Sequence, residues 1–70
     1  MATVSKELAL KIIANNGRYA DDPLVHQVVK YRNYHGGESW AILYEQDVLQ
    51  DRYAPSEYVI NPEVVWRLAD

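Results

Sequence analysis

The 70-residue chain has no cysteine and no phenylalanine, and only three glycines and three prolines. The absence of cysteine excludes disulfides, thiolate metal sites and thiol nucleophiles, so a reducing cytoplasmic setting is expected. No run approaches the roughly 18 apolar residues of a membrane helix. The N-terminus lacks the basic-then-apolar pattern of a secretory signal, which adds to the expectation of an unexported protein without a membrane partner. Cations are scarce as well. Seven Lys and Arg against ten Asp and Glu give a formal charge of -3, a balance that repels nucleic acid and anionic surfaces and argues against a nucleic-acid partner.

A chain this short fits one domain, residues 1–70, and leaves roughly 40% of its unfolded-state surface exposed. Its six Tyr and two Trp each combine an apolar ring with a polar handle. Such rings suit half-wet positions at the edge of a core, and they also suit contact surfaces. A small chain gains stability by burying such rings against a second copy, so self-association into a homo-oligomer is expected.

Residues 5–15 place Leu8, Ala9, Ile12 and Ile13 at helical spacing, with Lys6, Glu7 and Lys11 outside the stripe. Ser5 or Thr3 can cap the start, and Asn15, Asn16 and Gly17 suit the end. Residues 18–23, RYADDP, read as a loop. Residues 24–46 carry two strand-like runs around Gly36-Gly37, which reads as the two-residue turn of a long β-hairpin. That turn pairs His35 with Glu38, Asn33 with Trp40, Tyr31 with Ile42 and Val29 with Tyr44. One face then collects Val25, Val29, Tyr31, Trp40, Ile42 and Tyr44 as core. The other collects His26, Lys30, Arg32, Tyr34, Ser39, Ala41 and Glu45.

Residues 47–57 read as a connection with at most one or two helical turns before Arg52. The tail is either a short helix capped by Asn61 with Pro62 in its first turn, or a strand over 63–68. Val64, Val65 and Trp66 favour the strand, which would complete a three-stranded sheet. The expected fold is therefore α+β, an N-terminal amphipathic helix on a small antiparallel sheet made of the hairpin and a C-terminal third strand.

For chemistry, His26 and His35 lie about 30 Å apart along one strand and on opposite faces, so they cannot form one site within a chain. Ser39 points away from His35 and no carboxylate orients the ring, which leaves no Ser-His nucleophile. The carboxylates Asp21, Asp22, Glu45, Asp47 and Asp51 match no metal-binding spacing and read as solvated surface, although Asp22 or Asp51 could meet His26 of a neighbouring subunit. The glycines form no phosphate loop. No catalytic residue, metal or cofactor is assigned.

The feature most suited to binding is the polar hairpin face. Lys30, Arg32 and Tyr34 are expected in one row beside the small Ser39 and Ala41, with His26 extending the donors. The ordinary reading of such residues is a solvent face. Their functional reading is a protein contact, because Arg and Tyr are enriched at hot spots, or a small anionic ligand such as a nucleotide bound between subunits. Size and composition resemble those of accessory proteins of phages and mobile elements, which often work by binding and blocking. The expected function is thus a non-catalytic binding or inhibitor-type module, not an enzyme.

Overall fold

In the computed structural model, which describes residues 2–49 and 60–69, Ser5 opens the first helix. Its backbone is extended (φ -71°, ψ 158°), and its Oγ accepts the Leu8 amide at 3.1 Å. Helix α1 (Lys6–Ala14) ends in paired reverse bonds, with the Asn16 amide donating to Ile13 O at 3.1 Å and the Gly17 amide donating to Ile12 O at 2.9 Å. Asn16 adopts φ 56° and Gly17 φ 90°, so the left-handed exit uses the residues that tolerate it. Gly17 O then accepts the Val25 amide at 2.8 Å, which ties the helix exit to the start of the second strand.

The strands are β1 (Ala2–Val4), β2 (Val25–Arg32), β3 (Glu38–Tyr44) and β4 (Ile60–Arg67), with a short helix α2 (Glu45–Leu49) after β3. They form one antiparallel sheet in the order β1-β3-β2-β4. The expected helix, hairpin and C-terminal strand are all present, and the alternative of a helix at Asn61-Pro62 is excluded. Asn61 instead sits inside β4 at φ 51°, next to one of two register shifts along the β2–β4 pairing. Strand β1 is an addition. Its three residues pair with β3, with Thr3 opposite Ala41, so Thr3 is a strand residue and Ser5 alone caps the helix.

The hairpin register differs from expectation. Tyr31 pairs with Ser39 and not Ile42, a slip of three residues (42 minus 39), and Lys30 pairs with Trp40, Val29 with Ala41 and Val28 with Ile42. The cause lies in the turn. Gly36 at φ 81°, with Gly37 outside the positive region, would still suit a two-residue turn, so the hydrogen bonds of Asn33 and not φ set the loop. The chain instead closes a longer loop in which the Asn33 amide donates to Gly37 O at 2.8 Å and the Gly36 amide donates to Asn33 O at 2.9 Å. This is a turn centred on Tyr34 and His35, followed by a left-handed glycine.

An odd slip exchanges the faces of one strand relative to the other. The expected division into one core face and one polar face is therefore corrected to two apolar faces. Against the first lies α1, with Ala9, Ile12, Val25, Val28, Trp40 and Ile42 buried and Leu8, Ile13, Tyr44 and Trp66 packed around them. The second face buries Val29, Tyr31, Ala41 and Leu43, with Val48 of α2 and Val64 of β4 against them. A bulge at His26 lets Val25 and Val28 share the first face.

Helix α2 starts at Glu45, where Asp47 Oδ2 accepts the Tyr44 amide at 3.0 Å. The rest of the expected 47–57 connection, including Asp51 and Arg52, lies outside the described residues. No helix among the described residues is long and apolar enough to cross a membrane.

Candidate binding surface at the hairpin end

Asn33 organises the hairpin tip. Its Oδ1 accepts the amides of His35 and Gly37, each at 3.0 Å, and its Nδ2 donates to Ser39 Oγ at 2.9 Å. Three side-chain bonds and two backbone bonds thus fix a five-residue loop. The loop holds Tyr34 outward, 70% exposed, with its ring edge-on to His35 at a centroid distance of 4.6 Å.

Beside the tip lies a recess of about 220 Å³ lined by Lys30, Tyr31, Arg32, Gly36, Gly37, Glu38, Asn61 and Glu63. Strand parity puts Lys30 and Arg32 on one face, and the register places Glu38 across from Arg32 and Glu63 across from Lys30. Lys30 Nζ meets Glu63 Oε2 at 3.5 Å, a partly exposed pair worth roughly 0–1 kcal/mol. Glu38 Oε1 accepts the Trp40 indole N–H at 3.0 Å. Among the described residues, the Arg32 guanidinium makes neither an ion pair nor a hydrogen bond.

The expected row of Lys30, Arg32 and Tyr34, beside the small Ser39 and Ala41 and extended by His26, is therefore corrected in part. Lys30 and Arg32 share the recess, and Tyr34 stands at the adjoining tip. Ser39 lies on the opposite face with its hydroxyl engaged by Asn33, because the slipped register moves it across the sheet. His26 sits at the bulge near the other end of β2, about 20 Å along the strand from Arg32. Ala41 is a buried core residue and not a small neighbour of the cations. The residues missed were Asn33, Glu38, Glu63 and His35 as a group. The signal that could have found the loop is Asn33-Tyr34-His35-Gly36, since Asn first and Gly fourth is the residue pattern of the commonest tight turn.

At the far end of the sheet the charge is acidic. Asp21 and Asp22 precede β2, and Glu45 and Asp47 follow β3. The Tyr44 hydroxyl donates to Asp22 Oδ2 at 3.4 Å, and partial burial, followed by the Asp22 charge, raises its pKa above the ordinary 10.0. Because the folded value is raised, the stabilisation is whole below the unfolded value of about 10 and is lost as pH rises through the folded one. Melts between neutral and strongly alkaline pH should show a steeper alkaline loss of stability in the wild type than in Tyr44→Phe. Parallel curves would show that Tyr44 does not contribute. Among the described residues no group of three or more metal-binding side chains forms.

Comparison with protein-family models, curated proteins and solved structures found no match.

Proposed function

We propose that this protein is a non-catalytic binding module that docks a protein partner on its hairpin end, through Tyr34, His35 and Arg32. The observation that carries this reading is the loop pinned by Asn33, which presents an exposed aromatic in a fixed conformation. Ordering a loop before contact removes part of the entropic cost of association, and Tyr and Arg are among the residue types enriched at the energetic centre of interfaces. The non-catalytic reading is supported by the placement of His35 at the tip and His26 at the opposite end of β2.

A small anionic ligand such as a nucleotide draws less support, because Glu38 and Glu63 line the recess that Lys30 and Arg32 share. Self-association by strand addition is also poorly favoured. Strand β1 has three residues, while β4 carries Pro62 and two register shifts, features that blunt an edge.

Capture of partners from expressing cells, compared between wild type, Tyr34→Ala and Arg32→Glu, tests the proposal. Each substitution is expected to weaken the captured complex by about 30-fold, the 2 kcal/mol typical of a hot spot, with an unchanged circular-dichroism spectrum. Undiminished capture by both variants would sink it.

A further inference from the structure

We infer that the recess beside the tip receives an acidic side chain of the partner, as a carboxylate held by Arg32; this rests on the docking reading above. The recess holds four charged residues, and three of them are already committed. Lys30 and Glu63 satisfy each other at 3.5 Å, and Glu38 is engaged by the Trp40 indole at 3.0 Å. Arg32 is left with its planar fork of donors unused among the described residues. Gly36 and Gly37 line the recess next to it, and a side chain built at Gly36 would meet nothing within 4 Å, so an approaching main chain finds open space.

The same geometry selects the anion. A phosphate dianion placed on Arg32 would lie beside the carboxylates of Glu38 and Glu63, whose repulsion acts against its doubled charge. A carboxylate carries a single charge and matches the guanidinium fork with two parallel hydrogen bonds. With Tyr34 at the adjoining tip, the expected partner segment carries an Asp or Glu close to an apolar residue that covers the tyrosine ring.

The test uses a random-peptide library displayed on phage and panned against the full chain, the same library against Arg32→Glu, and Tyr34→Ala as a competitor check. Peptides with a fixed Asp or Glu are expected from the wild type. Their affinity should fall roughly tenfold or more on Arg32→Glu, and that variant should instead enrich Lys or Arg at the same position. Backbone-amide NMR titrations with N-acetyl-glutamate and inorganic phosphate give a second readout, with shifts around Arg32 and Gly37 expected to be larger for the carboxylate. Peptides that depend on Tyr34 but carry no fixed acid would overturn the carboxylate inference and leave the docking surface standing. Peptides indifferent to both residues, or no enrichment at all, would overturn both. Larger shifts with phosphate would overturn the choice of anion.

Discussion

Gly17→Ala is expected to lower stability by about 3 kcal/mol or more, which for a domain this small approaches the whole of it. A methyl group at this position would stand 2.5 Å from the Val25 carbonyl oxygen and 3.0 Å from the Trp66 ring, and the backbone is held at φ 90°. Neither neighbour can yield cheaply. The Val25 oxygen belongs to a strand whose amide is bonded to Gly17 O at 2.8 Å, and Trp66 packs on the first core. Gly36→Ala is the control. Its φ of 81° is equally unfavourable to alanine, but the space around it is open, so only the conformational cost of about 1 kcal/mol applies. Thermal melts should show a fall of roughly 4–8 °C for Gly36→Ala and several times that for Gly17→Ala. Equal shifts would mean that the contact with Val25 does not constrain the helix exit.

The helix exit was legible because its signals are local: an apolar stripe at helical spacing, then Asn15, Asn16 and Gly17 where the stripe ends. The existence of the hairpin was legible for the same reason. Its register was not, because two turn signals overlap. Gly36-Gly37 satisfies the two-residue turn, while Asn33 to Gly36 satisfies the longer one, and choosing between them depends on what the Asn33 side chain bonds. The observed register sets Lys30 opposite Trp40 in place of the expected Asn33. Lysine can lay its aliphatic stem along apolar surface and carry the ammonium outward, and here the ammonium reaches Glu63 on β4. Strand β1 left no periodic trace, since three residues are too few to show alternation.

The site was legible only in part. Lys30 and Arg32 fall on one face in any register because they are two residues apart on a strand. What surrounds them depends on pairing. Glu38 enters through the slipped β2–β3 register and Glu63 through a β4 pairing with two shifts, neither of which a pattern of residue types encodes. Those two carboxylates change the reading of the recess from a general anion site to one suited to a single negative charge. The proposed preference for an acidic side chain over a nucleotide therefore follows from two registers, the three-residue slip of β2 on β3 and the shifted β4 pairing.

That register carries a second consequence, for Leu43. With one core face, one row of β3 would point to solvent, and Leu43 falls in that row with Ser39 and Ala41. Its observed exposure is 1%, and it lies with Val29, Tyr31 and Ala41 in a cluster separate from the one under α1. Leu43→Ala is then expected to cost about 3 kcal/mol, similar to Ile42→Ala on the opposite face, since both remove fully buried branched side chains from well-filled surroundings. The sequence contains the hint in Trp40-Ala41-Ile42-Leu43-Tyr44, a continuous apolar run of the kind a strand buried on both faces displays. Strand β3 is such a strand because α1 packs on one of its faces and Val48 of α2, with Val64 of β4, packs against the cluster on the other. Urea denaturation of the two variants decides the matter. A Leu43→Ala midpoint close to the wild type, beside a large loss for Ile42→Ala, would leave a single core under α1 and restore the half-solvated sheet. Similar losses in both would establish that this small domain folds around two cores, one on each side of its sheet.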